Sequence, residues 1–299
     1  MKIAVFTKNR LNPAYHAARL GAERAAARLG VQVMHYVPEV ADAAAEQSAL
    51  LERALAERPD AIALAAVHPT RVDAAIRKVN AAGIPLVGFI SRSDAGKWDC
   101  FIGADNRRVG AALAAYLCAR LSGNGAVVIV EAAPDSTTSI DRTSGFRDAV
   151  AKYPGIRIVG TCNGEYQREP ARREMARLLA EVAHIDGLLA ANDVMALGAI
   201  EALQAAGRCA LVTGVNGTPD AIGAIKRGTL LATADYSALN LGALATECAV
   251  LRARGEAVPA EIMLPVEIID RSNVAAWDLP YERRPCLELA EALRIGVTR

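Results

Sequence analysis

Short apolar runs that stop at polar turns and lead at once into alanine-rich segments of helical period recur along the whole 299-residue chain. That alternation constrains the fold more than any other feature, because it calls for parallel strands with helical crossovers. The run LLAANDVMALGAIEALQAAGRCALVTGVNG, residues 188–217, shows it twice. An apolar strand over 188–191 ends at Asn192-Asp193, and a helix carrying Met195, Leu197, Ile200 and Leu203 follows and stops at Gly207. A second strand over 210–215 ends at Asn216-Gly217, with Thr218 as N-cap and Pro219 at the first position of the next helix. Asn192 and Asn216 therefore stand at the carboxyl ends of consecutive parallel strands, where open α/β sheets bind ligands.

Four such strand-helix units fill the first hundred residues. Strands are expected over 2–7, 31–37, 61–67 and 86–90, with Asn12-Pro13 opening the first helix and Gly30 and Gly83 closing the first and third. A second series starts with a strand at 101–103. It continues with a helix over 108–121, a strand over 126–130, a Ser/Thr-rich loop over 135–139 and a helix over 140–152. A strand over 156–161 and a helix over 170–183 lead into the 188–217 run, then a strand over 230–234 and a helix over 239–254. Residues 261–269 read as a bent strand broken by Pro265, which a regular central strand would not tolerate and a crossover between two lobes would. The fold class is thus α/β, with two similar Rossmann-like lobes of parallel sheet. The tail, 271–299, is too long for a stub and reads as a strap across one lobe.

Composition narrows the functional classes. The formal net charge of +1, with Lys and Arg spread through all segments, offers no basic stripe for nucleic acid. No stretch approaches the roughly 20 apolar residues of a membrane helix. Met1-Lys2 leads straight into the first strand, so the chain is either cytosolic or starts after a removed signal peptide. The six cysteines are scattered without CxxC or nearby His, which argues against a metal site, and their even number permits disulfides without requiring them. Cys118, Cys209 and Cys248 read as small buried hydrophobes.

Several linked segments, NPAYHAARLGAERAAARLG, the HPT turn, GIPLV, IGADN, DRTSGF, AANDVMALGAIEALQAAG and VNGTPDAI, resemble the periplasmic sugar-binding proteins of ABC transporters, the ribose-binding type above all. The resemblance covers about residues 2–269. It implies the type I periplasmic binding protein fold: two lobes joined by a three-strand hinge and closing on a ligand in the cleft between them. The expected lobes are 1–104 with 236–264 and 105–235 with 265–270.

A sugar presents hydroxyls and apolar CH faces, so its site needs forked polar side chains and aromatic plates. On the resemblance, Asn12 reaches a hydroxyl, and Tyr15 matches one of two stacking aromatics, Ala14 standing at the other. Tyr15 as a helix-packing aromatic stays open beside that role. His68, at the end of the third strand, is either a ligand contact or a helix cap. Ser91 and Arg92 match an Asp-Arg pair that has lost its carboxylate. Arg142, Tyr166 and Asn192 match a binding Arg, a stacking aromatic and a binding Asn. Asn216 stands where the ribose type has Asp, Tyr236 matches a binding Gln, and Asp235 is either a neighbouring contact or a hinge hydrogen bond. Two arginines against one acid give the expected pocket a positive balance, which suits a polyol, a modified monosaccharide or a sugar acid better than ribose.

The resemblance implies a periplasmic, monomeric receptor that delivers a carbohydrate-like ligand to the membrane subunits of an ABC permease, with no cofactor, metal or nucleic acid. The alternative is the effector-sensing domain of a lac-repressor-type regulator. That class carries a helix-turn-helix of about 50–60 residues ahead of its first strand, whereas this sequence enters the strand directly. No GxSxG elbow, P-loop, GxGxxG after the first strand or HExxH is present, so no catalytic residue is assigned.

Overall fold

The computed structural model describes residues 1–295. The chain opens β1 (Lys2–Phe6), α1 (Pro13–Leu29), β2 (Gln32–Tyr36), α2 (Ala44–Ala56), β3 (Ala61–Leu64), α3 (Asp73–Ala81), β4 (Leu86–Phe89) and β5 (Cys100–Gly103). It continues α4 (Asn106–Arg120), β6 (Asn124–Glu131), α5 (Thr137–Val150), β7 (Gly155–Asn163), α6 (Arg168–Glu181) and β8 (Gly187–Ala190). Then come α7 (Asp193–Ala205), β9 (Leu211–Val215), α8 (Pro219–Arg227), β10 (Ala232–Asp235), α9 (Ala238–Ala253), β11 (Glu261–Met263), β12 (Glu267–Asp270) and α10 (Leu289–Arg294).

Two compact units result. Unit one comprises Met1–Ala104, Ser237–Pro265 and, among the described residues, 281–295; unit two comprises Asp105–Tyr236 and Val266–Pro280. In unit one all six strands run parallel in the order β11-β5-β4-β3-β1-β2. β3, β4 and β5 are buried at every position, as strands covered on both faces must be. Unit two repeats the plan as β12-β10-β9-β8-β6-β7, with β12 antiparallel at its edge.

Local signals account for many of the boundaries. Asn12 Oδ1 accepts from the Ala14 amide to cap α1, Pro13 opens the helix, and Gly30 closes it at φ 67°. Thr218 and Pro219 start α8 in the same way. Pro265 lies between β11 of one sheet and β12 of the other, so the bent strand is two strands and the proline marks the passage between units. The tail divides. Val274 and Trp277 pack on the unit-two core, while the short 3-10 helix Tyr281–Arg283 and α10 lie on α1 and α9, and Arg24 donates to the Tyr281, Glu282 and Arg284 carbonyls.

Two expectations need correction. The Ser/Thr-rich segment is a loop only at Asp135 and Ser136: α5 begins at Thr137, and Ser139 within it is buried yet satisfied, its Oγ accepting from the Ala132 amide at 3.0 Å. Cys209 is exposed in the turn before β9, whereas Cys118 and Cys248 are buried.

Within unit one, α1 crosses α9 at two glycines. A Cβ on Gly21 would lie 1.9 Å from the Leu239 carbonyl oxygen, and one on Gly242 1.9 Å from that of Ala18. α4 and α5 of unit two meet in the same manner through Gly110, against the Arg142 carbonyl at 2.2 Å, and Gly145, against that of Arg107 at 2.1 Å.

Candidate functional site

The strand ends of unit two gather residues from five separate segments. Arg142, on the second turn of α5, is only 2% exposed, and three of its nitrogens donate: Nε to Asn106 Oδ1 (2.9 Å), Nη1 to the Ala191 carbonyl (2.6 Å) and Nη2 to Tyr236 Oη (2.6 Å). Asn216 Nδ2 donates to the same Tyr236 oxygen at 3.3 Å. The phenol oxygen thus accepts twice, and its own proton is what Tyr236 has to offer a ligand oxygen. Asn216 holds φ 123°, a backbone conformation that L side chains rarely adopt and that tends to mark functional turns.

Asn192 and Tyr166 form a neighbouring pair. Asn192 Oδ1 caps α7 by accepting from Met195 N (2.8 Å), and its Nδ2 donates to the Tyr166 carbonyl (3.4 Å). Tyr166 is half-buried, packs partly on the unit-two core and sits with Glu165 in a left-handed pair, φ 56° and 51°. Its Oη lies 3.4 Å from Ser136 Oγ. Asp235 is buried at the end of β10, where Oδ1 accepts from Tyr236 N at 2.9 Å.

Unit one holds the remaining candidate residues. Asn12 Oδ1 is occupied by capping, and Tyr15 is a buried residue of α1. His68 Nδ1 accepts from Thr70 N and Arg71 N, both at 3.1 Å, which holds the turn ahead of α3; the helix itself has Val72 at its N-cap and no side-chain cap, so His68 is not its cap. Ser91 Oγ donates to the Ala66 carbonyl at 2.8 Å, tying the ends of β3 and β4. The Ser91 amide reaches the Phe89 carbonyl at 2.7 Å around Ile90 at φ 65°, a γ-turn that strains a β-branched residue. Arg92 is half-exposed, lies 4.8 Å over the Phe101 ring and pairs with Glu261 at 3.8 Å. That carboxylate, far along the chain, offsets part of the positive balance counted from the sequence.

Two residues escaped the sequence reading. Asn106 stood in the IGADN segment with no role of its own, ahead of a helix expected from 108, and only the fold shows that its Oδ1 accepts from Arg142. Asp193 follows Asn192 directly, is fully buried, and ties the start of α7 to the start of α8 and to β10 by accepting from Thr218 N (2.8 Å) and Thr233 Oγ1 (2.6 Å). Burial pushes its carboxyl up to about 6, against the hydrogen bonds from Thr218 and Thr233 and the attraction of Arg142. The unfolded chain therefore ionises first as pH rises, and Asp193 contributes a loss of stability between about pH 4 and pH 6, roughly 3 kcal/mol for a shift of that size. Chemical unfolding across pH should show the advantage of wild type over Asp193→Asn shrinking through that window. An advantage that grew with pH would reverse the assignment. Among the described residues no group of three or more His, Cys, Asp or Glu is placed to hold a metal ion.

A family profile described as the periplasmic binding protein domain matches residues 3–257. The ribose import binding protein of Bacillus subtilis is 27% identical over 266 residues, 89% of this chain and 85% of that protein. An ABC transporter periplasmic solute-binding protein from Actinobacillus succinogenes, solved with D-allose bound, superposes with a TM-score of 0.88 at 29% identity, covering 92% of this chain and 99% of that one. A Bacillus halodurans ABC transporter solute-binding protein with bound myo-inositol gives a TM-score of 0.87 at 27% identity, covering 93% of this chain and 96% of that one. With the profile spanning most of its length and two repeated parallel-sheet units, the chain belongs to the periplasmic binding protein domain family.

Proposed function

We propose that the chain is the solute-binding receptor of an ABC importer, working in the periplasm and handing a monosaccharide, polyol or sugar acid to the permease subunits of the membrane. The observation that carries this reading is the unit-two network. A buried guanidinium and an asparagine amide both donate to one phenol oxygen at the strand ends, and the phenol proton is left to meet an oxygen-rich ligand. Arg142, Tyr236, Asn216, Asn192, Tyr166 and Asp235 are the contacts proposed from this unit. Asn12, Tyr15, His68, Ser91 and Arg92 are those proposed from unit one. Relatives named for import and ABC transport favour the receptor over the regulator, and the receptor reading requires the ligand to be released unchanged.

A thermal-shift panel of ribose, allose, myo-inositol and sugar acids tests the ligand class, because a ligand that binds only the folded state raises the midpoint by mass action. A polyol, hexose or sugar acid should shift the midpoint more than ribose does; a strong shift with ribose alone would refute the proposed class. With the ligand so found, Tyr236→Phe should weaken binding about tenfold by calorimetry, the worth of one hydrogen bond. Recovery of that ligand unaltered after prolonged incubation checks the absence of catalysis.

A further inference from the structure

The chain passes between its two units after Ala104, Tyr236 and Pro265, and once more after Pro280, within the tail. That last passage lies beyond residues 3–257, the part the family profile matches. The tail is docked on both sides of it.

On unit two the tail turns back as soon as β12 ends. Asp270 Oδ1 accepts from the Ser272 amide at 2.7 Å, and its Oδ2 accepts from Tyr116 Oη of α4 at 2.6 Å. Asn273 Nδ2 donates to the Ile268 carbonyl at 2.9 Å. Trp277 packs on the unit-two core, and Asp278 pairs with Lys226 of α8. On unit one the docking starts at Tyr281, which is buried and whose carbonyl accepts from Arg24 at 3.3 Å. It continues where Asn240 Oδ1 accepts from the Leu287 amide at 2.9 Å. Glu247 Oε2 then accepts both from the Leu289 amide at 3.0 Å and from Arg28 Nη2 at 2.7 Å.

Between the anchors at Asp278 and Tyr281 stand only Leu279 and Pro280. That length of chain reaches about 11 Å at full extension, and the proline ring fixes one of its torsions. A movement that carries the two anchors further apart than this has to undock one of them.

We propose that the tail is a short tether that restricts how far the two units swing about the other three crossings. Movement beyond its reach requires breaking the hydrogen bonds and burial that hold the tail to one unit. The inference rests on the receptor reading for the hinge motion alone. No ligand enters its test, so an empty ligand screen leaves the tether standing, and failure of the tether leaves the receptor reading standing.

The test is a distance measurement between spin labels on the full, ligand-free chain. Cys209 and Cys286 are replaced by serine, the other cysteines being buried, and labels are attached through Ala81→Cys in unit one and Ala183→Cys in unit two, both exposed positions. An insertion of about twelve Gly and Ser residues between Leu279 and Pro280 keeps both docking sites and gives the tether a slack of about 20 Å. The distance distribution should then broaden by about 5 Å or more, within that slack. The same insertion between Ala257 and Val258, in the segment joining α9 to β11 inside unit one, should leave the distribution as narrow as in the uninserted chain. A distribution that the tail insertion leaves unchanged, or that both insertions broaden equally, overturns the proposal.

Discussion

Arg142→Ala is expected to lower the stability of unit two by about 3 kcal/mol and to abolish ligand binding at any practical concentration. Arg142 is 2% exposed and donates to Asn106, Ala191 and Tyr236, so truncation removes three hydrogen bonds, strands the buried Ala191 carbonyl and leaves a void where they met. Each stranded group costs on the order of 1–3 kcal/mol, less what local rearrangement and the relief of a buried charge return. Arg142→Lys keeps the charge but cannot fork to three directions, so it should retain part of the stability and little of the affinity. The two tryptophans make the measurement specific, since Trp277 packs against the unit-two core and Trp98 against that of unit one. Denaturant unfolding followed at Trp277, with Trp98 replaced by phenylalanine, should show the loss. An Arg142→Ala protein that bound normally would remove the network from the site.

Gly242→Ala should destabilise unit one by about 3 kcal/mol, the opposite of what helix propensity alone forecasts. In an exposed helix this change stabilises by about 1 kcal/mol. Here the new methyl would lie 1.9 Å from the Ala18 carbonyl oxygen, a backbone atom that cannot swing aside. α1 and α9 would have to separate along the length of their contact, and forced separation in a close-packed core costs about 1–3 kcal/mol or somewhat more. Gly21→Ala attacks the same crossing from the other helix, so the double variant should cost less than the sum. A stable Gly242→Ala protein, judged by Trp98 fluorescence, would mean that the crossing is looser than its geometry states.

The alternation of apolar runs and helical segments was legible because each step is local: a strand, a polar turn, a cap, a helix. Asn12, Thr218 and Pro219 could be assigned to helix starts for the same reason. Pro265 also spoke clearly, since no ladder strand accommodates it. What failed to show were effects that depend on partners distant in sequence. Ser139 sits in a helix with its hydroxyl on the amide that follows β6, and Arg92 meets Glu261 through a strand that joins the sheet from far along the chain. Asn192 shows a subtler limit. Its place at a strand end was plain, but one side chain carries both a helix cap and a link to Tyr166, and the sequence cannot divide its hydrogen bonds between them.

The split tail has a practical consequence. Because the chain passes from one unit to the other after Ala104, Tyr236, Pro265 and Pro280, neither unit is a continuous fragment that could be expressed by cutting the gene once. A single proteolytic nick after Ala104, Tyr236 or Pro265 leaves at least one sheet built from strands of both pieces. The first strand and the described end of the tail also belong to the same unit. A fluorophore or fusion at either end therefore reports on unit one, and a distance sensor for ligand binding needs its second label inside a unit-two loop, the exposed Cys209 being a ready attachment point.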